Sequence, residues 1–341
     1  MSVKYNVKME SIAREASKND IPITATIELV SVCNWKCKHC YLPEHNNYGL
    51  EYEKIIELID ELRSLGVYQI ILTGGEIFLR EDILDIIEYA RSAYMRVNIL
   101  SNASLITGEI AQRLAKVFIA DYSLTIFSLD RQIHDSITGI DGSLKNALNG
   151  VKLLHKYGVP VEIKTPLLVD NVNEYVKVKE FCQRNGYGFS ASPSVFPKSD
   201  GDTTPIQYCL NQDQMNEVIC DIDSISDFQM AKRVPEYMCE TLRHSLFISC
   251  SGDVYPCNGL YIKVGNVKEN CLSEIWNSVG YRNLRNLKTL NAKECLDCEL
   301  VMFCERCVGL VHTETNNTVG CSATCKSIAL ARSNRYERRI K

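Results

Sequence analysis

The chain has no long hydrophobic run, no targeting segment and no excess of positive charge. No stretch approaches the roughly eighteen consecutive apolar residues of a membrane-spanning helix. Residues 1–20 are polar and charged, without the apolar core or small-residue cleavage site of a secretory signal. The formal net charge of −4 provides no basic field for nucleic acid or an anionic membrane. We therefore expect a cytoplasmic protein with no membrane and no nucleic-acid partner.

Cysteine, by contrast, is abundant, at 16 of 341 residues. Three cysteines lie within residues 33–40, and ten lie between residues 239 and 325. In a reducing compartment, cysteines spaced so closely bind metal more often than they form disulfides. Hydrophobic residues make up 45% and charged residues 23% of the chain, which is typical of a globular protein with a substantial core.

Short apolar runs alternate with helical patterns between residues 23 and 192. Strands followed by helices predict a parallel sheet whose strands are joined by right-handed crossovers. The strands are expected at 24–31, 68–72, 96–100, 122–129, 160–167 and 188–192. Six units are too few to close an eight-fold barrel. The sequence therefore predicts an α/β protein with a partial (β/α)6 TIM-like barrel, followed by a small cysteine-rich domain.

Changes in composition divide the chain further. We expect an N-terminal segment at 1–21, the barrel at 22–195, a connector at 196–235, the cysteine-rich domain at 236–330 and a tail at 331–341. Three prolines with serine and aspartate after residue 192 indicate the connector. The Arg/Lys-rich tail predicts a solvated terminal helix.

The first cysteine group, Cys33-Asn-Trp-Lys-Cys37-Lys-His-Cys40, follows the first predicted strand. Three thiolates this close can wrap one face of a cubane iron–sulfur cluster and leave one iron without a protein ligand. A zinc site would need a fourth ligand, and His39 is poorly placed for it because it directly precedes Cys40. The carboxyl ends of barrel strands are also where parallel α/β barrels carry their chemistry.

This spacing, with His39 and Tyr41 flanking the last cysteine, resembles the radical S-adenosylmethionine superfamily, which is marked by CxxxCxxC after the first strand. The resemblance implies a [4Fe–4S] cluster on Cys33, Cys37 and Cys40. It also implies that the open iron chelates S-adenosylmethionine, which one electron cleaves to methionine and a 5′-deoxyadenosyl radical. The protein would hold the cofactor and keep water away from the radical.

Polar residues at the ends of the next three strands are implied cofactor contacts by the same resemblance. Gly74-Gly75-Glu76 matches the segment that holds the methionine amino group in the family, although Ile77 stands where the family usually has proline. Ser101-Asn102 ends the third strand, and Ser128 and Asp130 end the fourth, near the expected adenosine ribose. For Ser101, Asn102 and Asp130, capping of their own turns is an equally good interpretation.

The C-terminal cysteines resemble a second module. Cys239 is followed by Gly252-x4-Cys257, and then by Cys295-x2-Cys298-x5-Cys304-x2-Cys307 and Cys325. This order resembles the SPASM domain, an auxiliary-cluster module behind many radical S-adenosylmethionine barrels, in which the last short interval is x3. Zinc ribbons are the alternative interpretation of such spacings.

The SPASM resemblance implies two auxiliary [4Fe–4S] clusters. One would be bound by Cys295, Cys298, Cys304 and Cys325, with Cys321 competing for the last position, and the other by Cys239, Cys257 and Cys307. Cys250 falls at the turn of a predicted hairpin over residues 245–257, too far along the strand from Cys257 to share a cluster with it. With Cys271 as the reserve candidate, we expect the cluster of Cys239, Cys257 and Cys307, the first auxiliary cluster, to have three thiolates and an open or exchangeable site.

Cys209 and Cys220 in the connector are candidate hydrogen-atom donors, against the ordinary interpretation of a buried cysteine as a small hydrophobic residue. The resemblance to SPASM proteins implies a peptide or protein substrate, often a ribosomally made precursor peptide, that is modified by a thioether or carbon–carbon cross-link or by epimerisation. Sulfatase-maturase-like oxidation, or modification of a small molecule such as a tetrapyrrole or a cofactor precursor, is the alternative.

Partners follow from the same expectations. Only about thirty residues precede the cysteine loop, too few for a fused leader-peptide-binding domain, so a separate leader-peptide-binding partner or direct substrate recognition is expected. A reductant such as flavodoxin or ferredoxin would supply electrons. A non-catalytic zinc-binding module is the competing class, and about twelve irons per chain would exclude it.

Overall fold

The computed structural model describes residues 3–226, 228–231 and 234–340, with side chains described from residue 11 to residue 336 within these ranges. Its scaffold is a nine-stranded sheet in the order β6-β5-β4-β3-β2-β1-β7-β8-β9. The strands are β1 Thr24–Val30, β2 Gln69–Gly74, β3 Arg96–Leu100, β4 Asp121–Thr125, β5 Val161–Pro166, β6 Gly188–Ser192, β7 Ser245–Ile248, β8 Asp253–Tyr255 and β9 Gly265–Asn266. Strands β1 to β6 are all parallel, which confirms the expected partial barrel.

Helices cover the outer face of the barrel and continue into the cysteine-rich domain. They are α1 Val3–Lys18, α2 Tyr52–Ser64, α3 Ile83–Ser92, α4 Gly108–Lys116, α5 Arg131–Thr138, α6 Ser143–Lys156, α7 Tyr175–Asn185, α8 Gln212–Ser226, α9 Leu272–Asn277, α10 Val279–Arg285, α11 Lys293–Leu296, α12 Val308–Thr315 and α13 Ala323–Ile340. In α2, Ile55, Leu58, Ile59 and Leu62 are fully buried, as expected for a stripe at helical spacing that packs on the sheet.

The predicted hairpin is present as β7 and β8, with Phe247 paired to Tyr255 and Gly252 in its turn at a φ of 89°. The sequence analysis did not foresee that β7 also pairs in parallel with β1, with Ser245 opposite Thr24. The first strand of the cysteine-rich region therefore extends the barrel sheet at its edge. This pairing fixes the cysteine-rich region directly beside the first cysteine loop.

The expected solvated tail is wrong at its start. Helix α13 begins inside the cysteine-rich region and packs on α8, with Arg332 only 5% exposed. The Arg332 Nε atom lies 2.9 Å from an Asp223 carboxylate oxygen, and its guanidinium stacks 3.5 Å from the Phe228 ring centre. The side chains of residues 337–341 lie outside the described set. Within the described residues, no helix combines the length and hydrophobicity needed to cross a bilayer.

Candidate active site

The loop after β1 carries the first three cysteines, and its backbone is held by the end of α5. The Lys36 amide donates to the Thr138 carbonyl at 2.8 Å, and the Lys38 amide donates to the Ile137 carbonyl at 3.0 Å. Gly139 follows with a φ of 68°, and a Cβ at that position would lie 3.1 Å from the Lys36 carbonyl oxygen. A short helix absent from the sequence analysis thus positions the cysteine loop.

A cavity of about 360 Å³ opens where the barrel strands end, and Cys33, Cys37 and Cys40 all line it. Burial raises the pKa of Cys33 to about 11, and the neighbouring charges of Glu76 and Cys40 add to this effect. Burial likewise raises the pKa of Cys37, with further contributions from Cys40 and Cys33. Three half-buried thiols that line one cavity are suited, once ionised, to binding the cationic core of an iron–sulfur cluster.

Glu76 is fully buried beneath this cavity and does not line it. Its carboxylate accepts from the Phe78 amide at 2.9 Å, the Asn102 amide at 2.8 Å and the Ser101 hydroxyl at 2.8 Å. Burial raises the pKa of Glu76, and these three hydrogen bonds oppose the shift. The carboxylate therefore ties the ends of β2 and β3 together, while the Gly74-Gly75 backbone, Ser101 and Asn102 face the cavity.

Ser128 and Asp130 lie outside the cavity lining. The Asp130 carboxylate accepts from the amides of Gln132 at 2.7 Å and Ile133 at 3.3 Å, so it caps the start of α5. The Ser128 hydroxyl oxygen accepts from the Asp130 amide at 2.9 Å and is fully buried. The capping interpretation describes Asp130, and Ser128 bonds within the same turn. The positions of the two residues give no support to the expected contact with the adenosine ribose.

The two candidate hydrogen-atom donors also lie away from the cavity. Cys220 is exposed on α8. Cys209 packs against a cluster that includes Phe127 and Val195, one layer behind the cavity wall. Neither thiol is placed to reach a substrate inside the cavity, so we do not propose them as donors.

Three polar residues that the sequence analysis missed line the cavity. Ser123 and Thr125 on β4 and Lys164 on β5 contribute side chains to its wall. Lys164 is the only Lys or Arg among the described residues that line the cavity, and its amine lies 3.6 Å from Glu162. The available signal was the presence of polar residues within strands whose other positions are apolar and buried.

The C-terminal cysteines form two groups. Burial raises the pKa of Cys257 to about 12, and the nearby thiols of Cys239 and Cys307 add to the rise. A second cavity, of about 460 Å³, is lined by Cys295, Cys298, Cys304, Cys321 and Cys325, together with Cys239.

Cys250 and Cys271 join neither group. The buried Cys250 donates its backbone amide to Glu28 at 3.3 Å. Cys271 is exposed at the start of α9, where its sulfur lies 3.1 Å from the Ser273 hydroxyl. The group of Cys239, Cys257 and Cys307 therefore gains no fourth ligand from either reserve candidate.

A third cavity, of about 370 Å³, is lined by residues of both the barrel and the cysteine-rich region. It is lined by Cys307 and Cys325, and it shares Ser192, Ser194 and Phe196 with the barrel cavity. The three shared residues lie at the end of β6 and just after it. They form a common wall between the cavity of the first cysteine loop and the cavity of Cys307 and Cys325.

Comparison with known families identifies the chain. The model of the radical SAM superfamily matches residues 27–182, and the SPASM model, an iron–sulfur cluster-binding domain, matches residues 239–299. The protein belongs to the radical SAM superfamily. It is a radical SAM enzyme with a SPASM domain, which excludes the alternative of a non-catalytic zinc-binding module. Membership implies iron–sulfur clusters and S-adenosylmethionine as cofactors, and the cavity lined by three thiols fits them.

Relatives of this radical SAM enzyme carry two kinds of name. The AdoMet-dependent heme synthase of Methanosarcina barkeri is 25% identical over 85% of this chain and 92% of its own length. The sporulation killing factor maturation protein SkfB of Bacillus subtilis is 26% identical over 75% of this chain and 65% of its own length.

Solved structures share the fold. Streptococcus suis SuiB bound to its precursor peptide SuiA has a TM-score of 0.73 and 19% identity, covering 92% of this chain and 78% of SuiB. The anSMEcpe protein with bound AdoMet has a TM-score of 0.70 and 15% identity, covering 94% of both chains. At these identities, the likeness confirms the barrel and its C-terminal extension.

Proposed function

We propose that this radical SAM enzyme abstracts a hydrogen atom from a peptide segment that lies along the path between the barrel cavity and the auxiliary cysteines. Cys33, Cys37 and Cys40 hold the [4Fe–4S] cluster, which together with S-adenosylmethionine supplies the 5′-deoxyadenosyl radical. The Gly74-Gly75 backbone and the Asn102 side chain bind the methionine end of the cofactor, while the Ser101 hydroxyl is held by Glu76, Tyr122 and the Ala103 amide. The observation that carries this proposal is that the barrel cavity adjoins the cavity of Cys307 and Cys325, with Ser192, Ser194 and Phe196 lining both.

The charges along this path favour a peptide. Lys164 is the only cation on the described wall of the barrel cavity, and Arg332 in the adjoining cavity is already paired with Asp223 and Glu305. Haem-type tetrapyrroles carry ionised propionates, and a buried carboxylate without a cationic partner is costly. A peptide backbone is uncharged, and the hydroxyls of Ser192 and Ser194 can hydrogen-bond to it.

A tetrapyrrole is the second candidate substrate. It is favoured by the relative named AdoMet-dependent heme synthase, which matches over a larger share of both chains than the relatives named for peptide maturation. Under this alternative, Lys164 binds one propionate, and the remaining carboxylates face solvent.

The auxiliary cysteines extend the proposal. We assign two auxiliary [4Fe–4S] clusters to the SPASM region, because its cysteines form two separate groups. These clusters would accept an electron from the substrate radical or hold a substrate thiolate. Flavodoxin or ferredoxin as reductant, and a separate leader-peptide-binding partner, belong to the same proposal.

Anaerobic incubation with dithionite and S-adenosylmethionine tests the substrate class. We expect 5′-deoxyadenosine formation to rise with a panel of cysteine-containing peptides and not with iron coproporphyrin. Loss of a hydrogen pair from the peptide mass indicates a cross-link or oxidation. An unchanged mass in ordinary water, together with deuterium uptake when the reaction is run in heavy water, indicates epimerisation. The Cys40→Ala variant is the matched control. Stimulation by the porphyrin alone would replace the peptide proposal with the second candidate.

A further inference from the structure

The two auxiliary cysteine groups are unequal. The first group has three thiols, from Cys239, Cys257 and Cys307. The cavity that holds the second group is lined by five further thiols, from Cys295, Cys298, Cys304, Cys321 and Cys325, and also by Cys239 of the first group. A cubane cluster has four irons, and each takes one terminal ligand. One group is therefore one thiol short, while its neighbour has one thiol more than it can use.

Cys325 lies at the boundary between the two groups. It is the only cysteine of the described chain that lines both the 460 Å³ cavity of the second group and the 370 Å³ cavity that contains Cys307. Its sulfur accepts a hydrogen bond from the Cys307 amide at 3.5 Å. Its own amide donates to the Ser322 hydroxyl at 3.1 Å, which fixes the first turn of α13, and Cys325 is only 6% exposed.

Cys321 lies on the other side of the second group. It lines the larger cavity and does not line the cavity that contains Cys307. Cys295 and Cys298, the pair of thiols that begins the second group, line this same larger cavity. Cys321 therefore shares a cavity with that pair, and it is exposed to solvent.

We propose that Cys321 is the fourth ligand of the second auxiliary cluster and that Cys325 is the fourth ligand of the first. The eight thiols then match the eight irons of two cubanes, and the first cluster has no open site. This inference rests on the two auxiliary clusters of the proposed function. It replaces both the assignment of Cys325 to the second cluster and the expectation of three thiolates on the first.

Alkylation of the full-length, anaerobically reconstituted enzyme tests the role of Cys321. Iodoacetamide labelling is mapped by mass spectrometry before and after removal of iron with a chelator. Cys220 and Cys271 are also exposed, so they provide matched internal controls. We expect Cys321 to be labelled at least about ten-fold more slowly than these two before iron removal, and at a similar rate afterwards. Equal labelling of all three in the reconstituted enzyme would overturn the proposal.

Iron analysis tests the exchange between the two clusters. In a Cys33→Ala/Cys37→Ala/Cys40→Ala parent, the auxiliary clusters alone remain, with about eight irons expected. Adding Cys239→Ala and Cys257→Ala leaves only the second cluster, with about four. In that background, we expect Cys321→Ala to change the cluster signal in Mössbauer and electron paramagnetic resonance spectra and Cys325→Ala to leave it unchanged.

If the spectra of the second cluster change in Cys325→Ala and not in Cys321→Ala, the ligand exchange is refuted, but the proposal of two auxiliary clusters still stands. A parent with only about four irons would instead show that the two-cluster proposal itself fails. If the combined variants do not fold, the labelling of Cys321 in the unmodified chain decides the proposal alone.

Discussion

Replacing Asp135 tests how the cysteine loop is held in place. Asp135 lies on α5 and is 9% exposed. One carboxylate oxygen accepts from the Ser143 hydroxyl at 2.7 Å and the Leu144 amide at 3.0 Å. The other accepts from the Gly142 amide at 2.7 Å and from Arg131 Nε at 3.2 Å. Asp135 thus joins the start of α6 to α5, whose last carbonyls hold the loop.

The pKa of Asp135 sets the size of the effect. Burial raises this pKa, but the hydrogen bonds from Leu144, Ser143, Gly142 and Arg131 outweigh it and lower the pKa from 3.8 to about 2. Lowering the pKa from 3.8 to about 2 corresponds to about 2 kcal/mol of preference for the ionised form in the folded protein. Asp135→Asn keeps the shape of the side chain. Its amide NH2 group, however, replaces one carboxylate oxygen and cannot accept the two hydrogen bonds that this oxygen received. We expect it to lower the free energy of unfolding by about 2 kcal/mol at pH 7.

Anaerobic urea unfolding, followed by circular dichroism, measures this loss. Because the pKa is lowered in the folded state, the stabilisation is complete above about pH 5 and declines as the pH falls towards 2. The gap between wild type and Asp135→Asn should therefore narrow on acidification. Asp141→Asn is the matched control, since Asp141 also pairs with Arg131 but is 85% exposed, and we expect it to be nearly neutral. Equal losses in both variants, or a gap that widens in acid, would refute this reasoning.

Three further substitutions test other parts of the account. In Gly75→Ala, the added Cβ would lie 2.1 Å from the Val32 carbonyl oxygen. Iron content and S-adenosylmethionine affinity should therefore fall. The control Gly280→Ala, whose added Cβ meets no atom within 4 Å, should retain both. Arg332→Met removes the closer of the two guanidinium groups paired with the buried Asp223 and should lower the free energy of unfolding by about 2 kcal/mol; a change under about 0.5 kcal/mol would contradict the ion pair. Lys164→Gln should weaken binding of S-adenosylmethionine or substrate about ten-fold with an unchanged cluster spectrum, and unaltered affinities for both would contradict its role.

Local patterns predicted the barrel well. Each of the six parallel strands lies within a few residues of its expected range, because β-branched runs and the stripes of amphipathic helices such as α2 are written into short stretches of sequence. The pairing of β7 with β1 was not predictable in this way. Ser245 and Thr24 are far apart in the chain, and the local sequence of neither strand indicates which strand it pairs with.

The site was predicted in part. The spacing of Cys33, Cys37 and Cys40 and the glycines after β2 indicated the cavity, since short loops place neighbouring residues together. The direction of the Glu76 carboxylate depends on donors that come from β3 and could not be inferred from its own motif. The proximity of Cys325 to Cys307 depends on how α13 packs, which the spacing of cysteines does not specify.

Reductive cleavage of S-adenosylmethionine tests the central claim most directly. The reconstituted enzyme is incubated anaerobically with dithionite and S-adenosylmethionine, and 5′-deoxyadenosine and methionine are quantified. We predict that both products form in equal amounts in the wild type and that neither forms in Cys33→Ala, Cys37→Ala or Cys40→Ala. An iron-loaded wild-type enzyme that binds S-adenosylmethionine and yields no 5′-deoxyadenosine, or a Cys40→Ala variant that cleaves at the wild-type rate, would contradict the account.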